Sequence, residues 1–405
     1  MIEDVLKGKN IILGITGGIA AYKTPLLVRE LIERGAEVKV VMTPSAVEFI
    51  TPLTLSSLSR HEVIVNIFPA DQKQGTGMTT WHIDYSVWAD LIIIAPATVN
   101  TIAKIAHGFA DNALTTLVCA KRSPVIIAPA ADVDMYNNPL NLENLNKLKS
   151  LGFYMVDAEV GFLASGLRGK GRMADINKII DFAELIAAGF TTDYPGKKVL
   201  ISAGPTYEDI DPVRFIGNRS TGKMGFALAK AAFLRGAEVT LITGPSDEKC
   251  YPEIKLVKVR SALQMKNAVN SEIGSNDIFI SSAAVADYTP VNFIGKKIKR
   301  NSGPINLELN PTEDILSSVP REGIKIVGFA LETENEIENA KNKLFSKNLD
   351  FIVMNSLQVE GAGFEHETNK ISILNKAGDQ KDFPLLSKFQ AANNILSEIL
   401  QLYKS

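Results

Sequence analysis

The pentapeptide Arg-Gly-Ala-Glu-Val occurs twice in this chain, at 34–38 and at 235–239, each time where a helical apolar pattern gives way to an apolar run. A glycine that ends a helix and leads directly into a buried strand is the turning point of a β-α-β unit. The chain therefore starts such a unit twice. In the first, Ile11 to Thr16 reads as a strand ending at Gly17 and Gly18, residues 20–34 carry helical periodicity, and Val38 to Met42 is the next strand. In the second, a strand from Val199 leads to a helix from Thr221 to Arg235, and Val239 to Ile242 follows. Both crossovers should be right-handed. Residues 187–198, AAGFTTDYPGKK, have linker composition. The expectation is an α/β protein of two doubly wound, Rossmann-like parallel-sheet domains, spanning 1–188 and 196–405 and joined by a linker at 189–195. Common ancestry of the halves is not required, because a glycine cap before a strand recurs for steric reasons alone.

Composition narrows the function classes. With 405 residues, 46% apolar, 22% charged and a net charge of −2, the chain is globular and lacks the basic excess of a nucleic-acid-binding surface. Its apolar runs are too short to span a bilayer, so a soluble, cytoplasmic protein is expected. Cys119 sits in an apolar helical run, where a small buried hydrophobe is expected, and Cys250 in a charged loop. The histidines at 61, 82, 107 and 366 have no companions at ligand spacing, so no structural zinc site is expected.

Two stretches carry ligand chemistry. Residues 202–225, SAGPTYEDIDPVRFIGNRSTGKMG, join a strand end, a long polar loop and a helix opened by Ser220, Thr221 and Gly222. The free N–H groups and positive end of that helix suit an anion. At the first strand end, Gly-Ile-Thr-Gly-Gly lacks the spaced glycines of the dinucleotide fingerprint, and Met42-Thr43-Pro44-Ser45 offers no acid for a ribose hydroxyl. Thr16, Gly17, Gly18, Thr43 and Ser45 instead suit a single terminal phosphate, as on FMN. A NAD(P)-dependent reductase on two such domains is the alternative. Residues 69–80 read as a mobile loop before His82, a helix from Thr101 is expected to continue past Gly108 to Cys119, and the glycine-rich 158–175 reads as a flap. Near the end, a hairpin around 375–381 precedes an amphipathic helix from Leu386 to Tyr403.

The strings GITGGIAAYK, HIDYSVWADLIIIAPATVNTIAKIAHGFADN and GKGRMAD closely resemble motifs of the flavin-containing cysteine decarboxylases. The stretch 202–225, with SAAVADY and the basic run at 296–300, resembles the bacterial phosphopantothenate-cysteine ligase that is commonly fused behind such a decarboxylase. The resemblance implies two reactions in coenzyme A synthesis. In the first, CTP activates 4'-phosphopantothenate as an acyl-cytidylate with loss of pyrophosphate, and the L-cysteine amine displaces CMP. In the second, FMN-dependent oxidation of the thiol-bearing carbon lets the adduct lose CO2 and give 4'-phosphopantetheine.

Residue by residue, the resemblance implies FMN contacts at Gly17, Gly18, Thr43, Ser45, Thr98 and Asn100, and a catalytic base at His82. A histidine suits a base that takes a thiol proton near neutral pH. In the ligase half it implies that Asn218 holds the acyl-cytidylate and that Lys297 opens the basic motif ending at Arg300. CTP contacts fall at Ala283, Asp287, Lys297, Glu313, Asp314, Ile315, Leu316, Phe329, Lys343 and Lys347, with Lys297 also catalytic in neutralising phosphate charge, and with Mg2+ expected and its ligands unassigned. Two positions depart from the family. Asp132 replaces the amide that handles the substrate carboxylate, and Ser165 replaces the flap cysteine that protonates the enethiolate. An ionised Asp132 repels a carboxylate, and a hydroxyl is a poorer acid than a thiol. A front half with altered or lost decarboxylation, serving as an oligomerisation scaffold, is the second alternative. The resemblance also implies a homo-oligomer, with trimeric contacts through the flavin domain and dimeric contacts through the ligase domain.

Overall fold

The computed structural model describes residues 5–68, 80–299, 305–332, 336–356, 363 and 366–403. Most of the polar stretch at 69–80, and Arg300 of the basic run, lie outside the described residues. The chain divides into two compact units, with the change at Phe190 and Thr191.

The front unit is built on a parallel sheet of order β2-β1-β3-β4-β5. Its strands are β1 (Asn10–Ile15), β2 (Glu37–Met42), β3 (Leu91–Ala97), β4 (Val125–Pro129) and β5 (Tyr154–Met155). Nearly every residue of β1, β3 and β4 is buried, as expected of strands covered on both faces. Helices α1 (Thr24–Glu33), α2 (Pro52–Ser59), α3 (Trp81–Trp88), α4 (Val99–Ala106), α5 (Ala113–Cys119), α6 (Val133–Asn137), α7 (Pro139–Ser150) and α8 (Ile176–Ala187) surround it. One face of the core joins Ile12, Ile92, Ile94 and Ile127 to Leu114 and Leu117 of α5.

The helix expected to run from Thr101 to Cys119 is two helices. Gly108 takes a left-handed conformation (φ 73°), and Asn112 opens α5 with a capping box, its side chain accepting the Thr115 N–H at 3.1 Å. The new start faces Cys119 outward, correcting the expectation of a buried thiol. The glycine-rich stretch at 158–175 forms an antiparallel hairpin, β6 (Glu159–Phe162) with β7 (Arg168–Arg172).

The second unit has a mixed sheet of order β12-β11-β8-β13-β16-β17-β18-β19. These strands are β8 (Lys198–Ala203), β11 (Glu238–Thr243), β12 (Lys255–Lys258), β13 (Ile278–Ser281), β16 (Lys325–Glu332), β17 (Phe351–Ser356), β18 (Thr368–Asn375) and β19 (Gln380–Ser387). The strands through β17 pair in parallel, whereas β18 and β19 are antiparallel, so this sheet is not parallel throughout. The hairpin lies where the sequence places it, and α13 (Lys388–Gln401) follows. The other helices are α9 (Lys223–Leu234), α10 (Ala262–Glu272), α11 (Ile315–Ser318) and α12 (Glu336–Ser346).

Two small ribbons lie outside this sheet: β9 (Tyr207–Asp209) with β10 (Phe215–Gly217), and β14 (Tyr288–Pro290) with β15 (Leu309–Pro311). The polar loop between β8 and α9 is therefore itself folded. Tyr207 and Phe215 stack across the first ribbon at 3.8 Å, giving it an apolar cross-strand pair. Helix α9 begins at Lys223 rather than Thr221, and its cap is Gly222 at φ 86° with no side-chain cap bond.

Candidate active sites

A cavity of about 890 Å³ opens at the carboxyl ends of β1 to β4. Loops diverge there and leave a crevice, the usual ligand position in an open parallel sheet. Gly17, Gly18, Thr43, Ser45, Thr98 and Asn100 all line it, although they come from three separate strand-to-helix connections. A β-carbon on Gly17 would lie 2.5 Å from Ser45 Cβ and 2.8 Å from the Ser45 carbonyl, so glycine lets the first loop meet the second. The Thr43 hydroxyl is buried and has no hydrogen-bond partner among the described residues. An orphaned hydroxyl beside a glycine cradle fits a phosphate-bearing group. Thr16, by contrast, is fully buried, donates to Pro96 O at 2.7 Å and accepts the Thr98 N–H at 3.0 Å. It ties β1 to the end of β3 and does not face the cavity.

Asp132 lines the same cavity, and so do Lys23 and Arg172. Burial, then the Arg172 charge, draws the Lys23 ammonium below its ordinary value, against the pull of Glu159 and Asp175. The cavity thus balances Asp132 with two cations, which lessens the repulsion expected for a substrate carboxylate. Ser165 lies exposed at the turn of the β6–β7 hairpin, where its Oγ accepts the Leu167 N–H at 3.3 Å. Its neighbours Phe162, Leu163 and Ala164 line the cavity, so the hairpin borders the site as a flap would.

His82 is the exception. It stands half-buried in the first turn of α3, edge-on to Trp81, and is not among the residues lining this cavity. The expected base is therefore not brought to the cavity within one copy of the chain. Lys23 and Arg172, which do line it, lie inside the strings GITGGIAAYK and GKGRMAD, where a single cation carries no signal that separates it from a solvated side chain.

The second unit holds a cleft of about 570 Å³. Asn218, Ala283, Asp287, Glu313, Asp314, Ile315, Leu316, Phe329, Lys343 and Lys347 all line it. The Asn218 amide donates to Ala284 O at 3.2 Å and Val285 O at 3.0 Å, which fixes its carboxamide against the loop after β13. Gly225 brings α9 against the end of β8; a β-carbon there would lie 2.4 Å from Ala203 Cβ. The first turn of α9 therefore meets the cleft at Gly222, Lys223, Met224 and Gly225.

The charged groups are less available than spacing suggests. Lys347 is ion-paired with Asp314, whose carboxylate also receives the Ser317 hydroxyl at 2.7 Å. Burial raises the Asp314 carboxyl, but Lys347 and Ser317 outweigh it and hold it below its usual range. Glu313 pairs with Lys266, and Lys343 Nζ donates to Phe329 O at 2.8 Å. Ile315 and Leu316 line the cleft although both residues are buried. Lys297 is exposed and does not line the cleft, contrary to its expected place beside the nucleotide phosphates.

Lys388 does line the cleft, buried at the start of α13, with Nζ donating to Gly363 O at 2.8 Å and to His366 O. Burial draws its ammonium down to about 8. Sequence reasoning missed it, since one lysine opening an amphipathic helix carries no distinguishing signal. Among the described residues, no group of three His, Cys, Asp or Glu side chains comes together to hold a metal ion. No helix there is long and apolar enough to cross a membrane.

Two family models match successive stretches of the chain. The family described as "Flavoprotein" matches residues 2–186, and the "DNA/pantothenate metabolism flavoprotein C-terminal domain" family matches 194–403. The "Coenzyme A biosynthesis bifunctional protein CoaBC" of Bacillus subtilis (strain 168) is 44% identical over 405 residues, covering 99% of this chain and 98% of that protein. A "Cysteine/Cysteine sulfinic acid decarboxylase" from an unknown prokaryotic organism is 48% identical over 360 residues, covering 87% of this chain and 99% of that protein. A crystal structure of the C-terminal domain of a CoaBC protein covers 53% of this chain and 100% of that domain at 37% identity, with a TM-score of 0.46. With a flavoprotein unit in front, the second family model over half of the chain, and near-complete alignment to a bifunctional relative, the chain belongs to the CoaBC family of bifunctional coenzyme A biosynthesis enzymes.

Proposed function

We propose that the second unit uses CTP to join 4'-phosphopantothenate to L-cysteine, and that the front unit, carrying FMN, decarboxylates the product to 4'-phosphopantetheine. The observation that carries the ligase reading is convergence. Asn218, Asp287, Phe329 and Lys343 come from four distant segments and meet on one cleft. In the first step the pantothenate carboxylate oxygen bonds to the α-phosphorus of CTP, and the bond to pyrophosphate breaks. The cysteine amine then bonds to the acyl carbon, CMP leaves with the electron pair of the carbon–oxygen bond, and the amine proton goes to solvent or a neighbouring base. This route divides amide formation into two easier displacements. Lys343 would meet the nucleotide in the cleft, its ammonium directed by the bond it donates to the Phe329 carbonyl. Asn218 is pre-oriented by its two backbone contacts, so its remaining carboxamide oxygen is available to the intermediate. Mg2+ bound with the triphosphate would offset further charge during displacement.

In the front unit, Gly17, Gly18, Thr43, Ser45, Thr98 and Asn100 would hold FMN, which supplies hydride acceptance and return when bound. Lys23 and Arg172 attract an anionic substrate, and the hairpin bearing Ser165 shields it from water. His82 reaches such a site only from a second copy of the chain. In support, Ile19, Tyr22 and Leu26 are exposed at helical spacing, and the first two line the cavity rim. That apolar stripe suits a covering subunit, consistent with a homo-oligomer.

Rapid quench with labelled CTP tests the ligase reading. Acyl-cytidylate and pyrophosphate should appear before cysteine is added, and Lys297→Gln and Asn218→Asp should both suppress them. Normal intermediate levels in both variants would place the chemistry elsewhere. A second front-unit reading is favoured by Asp132 and Ser165 together with the 48% identical relative, whose printed name refers to cysteine and cysteine sulfinic acid. Under it, CO2 release from free cysteine would exceed release from the phosphopantothenoyl adduct.

A further inference from the structure

Lys297 lies outside the cleft, yet its segment is not loose. Ile294 donates its N–H to Ile210 O at 3.0 Å, and Ile298 donates its N–H to Asp211 Oδ2 at 3.1 Å. Arg214 Nη1 returns a bond to Ile298 O at 3.3 Å and also pairs with Asp211. Both tethers therefore end on the turn of the β9–β10 ribbon. Asp211 Oδ1 simultaneously accepts the Val213 and Arg214 N–H groups at 2.8 Å each, closing that turn. The ribbon then runs through Gly217 into Asn218, which is fixed on the cleft wall.

We propose that Asp211 is a positioning residue for the ligase step: its carboxylate docks the Lys297 segment onto the ribbon that carries Asn218, setting the distance from which Lys297 reaches the nucleotide. The inference rests on the ligase reading above. The Asp211 side chain is fully buried, and both of its oxygens are engaged. Burial pushes its carboxyl up, but the N–H groups of Ile298, Val213 and Arg214 and the Arg214 guanidinium prevail and hold it at about 2. It is thus an anion throughout the physiological range, able to accept all four contacts at once. Lys297 adjoins the docked residue, so its backbone is located and only its side chain need search for phosphate. Without the dock, that search includes the whole segment, a loss of the kind in which small misplacements cost on the order of a hundredfold in rate.

Asp211→Asn keeps an oxygen for the turn amides but turns an NH2 group toward Ile298. Ile298→Pro deletes the bond from the other side and leaves the turn intact. In the full-length protein, both should slow pyrophosphate release from CTP and phosphopantothenate by roughly ten- to a hundredfold, while CTP affinity stays within about twofold. Hydrogen exchange of the amides at 294–299 should quicken in Asp211→Asn. The decisive measurement places Asp211→Asn on a Lys297→Gln background, where it should cause no further loss, because the two residues act through one contact. Undiminished additional loss on that background would show a merely structural role and overturn the proposal. So would unchanged pyrophosphate release in both single variants. Absence of CTP-dependent pyrophosphate release from the unsubstituted enzyme would instead count against the ligase reading, so the two failures are told apart.

Discussion

A β-carbon on Gly17 would lie 2.5 Å from Ser45 Cβ with backbone close behind, whereas one on Gly18 would meet nothing nearer than Thr98 Cγ2 at 3.3 Å. The first neighbour is backbone-anchored and the second is a rotatable methyl, so these adjacent glycines should respond differently. Gly17→Ala is expected to weaken FMN binding at least tenfold, or about 1.4 kcal/mol, and Gly18→Ala to leave it nearly unchanged. Flavin absorbance during titration of the stripped protein measures both, and equal losses would contradict the cradle. Lys388 makes a second prediction at this scale. Its ammonium titrates near 8 when folded, against an ordinary value of 10.5. Between those values the unfolded chain binds more protons, so stability rises with pH. The burial penalty is fully present below about 8 and is relieved toward 10.5. The urea midpoint of the wild type should therefore gain on that of Lys388→Met between about pH 7 and about pH 10. Glu367 and Glu248 pull the same ammonium upward while Lys223 adds to the effect of burial, so a gap independent of pH would mean that the two glutamates cancel both.

The twice-occurring pentapeptide joins elements in the same manner in each unit. Arg34 pairs with Glu184 of α8, and Arg235 pairs with Asp193 at the entry to the second unit. Arg235 is 1% exposed, takes both Asp193 oxygens at 2.8 Å and donates to Asn393 O of α13 at 2.7 Å. Tyr194 beside it is fully buried, with its hydroxyl on Leu396 O at 2.6 Å. Asp193 and Tyr194, in a stretch that reads as linker, are thus built into the second unit, because Asp193 supplies an anion to the buried guanidinium. Asp193→Ala should lower the stability of that unit by on the order of 3–5 kcal/mol, the usual loss when one member of a buried pair is removed. The lower end is expected, since Asp193 remains 35% exposed. Urea unfolding followed by a probe in the second unit would show it, and a change below about 0.5 kcal/mol would mean that the guanidinium's other partners, Asn393 and Ser397 among them, satisfy it without Asp193.

At the scale of the whole molecule, His82 and the flavin cradle are separate within one copy. If a second copy completes each front-unit site, a mixture of two inactive proteins should regain activity. His82→Asn keeps the cradle and lacks the base, while Gly17→Ala keeps the base and, with FMN held well below its weakened affinity, leaves its own cradle empty. Oligomers reassembled from equal amounts contain sites with an intact cradle from one copy and His82 from the other. CO2 release should return to roughly a quarter of the wild-type level under random pairing, a statistical figure that assumes fully exchanged subunits. No recovery after verified subunit exchange would place His82 and the cradle in the same copy.

The sequence by itself determined the two β-α-β starts, the apolar strands, the closing hairpin and terminal helix, and the loops that hold most cradle and cleft residues. These features are local: a strand is marked by its run of apolar residues, a helix end by its glycine, and a binding loop by its position after a strand. Helix limits were less legible, because Gly108 and the Asn112 cap decide the break before α5 through backbone angles and short hydrogen bonds. Only the tertiary structure decided which side chains share a site. Strand order brings the ends of β8, β13, β16 and β17 together, so Asn218, Asp287, Phe329 and Lys343 converge although more than a hundred residues separate the first from the last. The same three-dimensional distances commit Lys347 to Asp314, bury Lys388, dock the Lys297 segment on Asp211 and leave His82 outside its cavity. Charge pairing and burial depend on separations in space, which spacing along the chain does not encode.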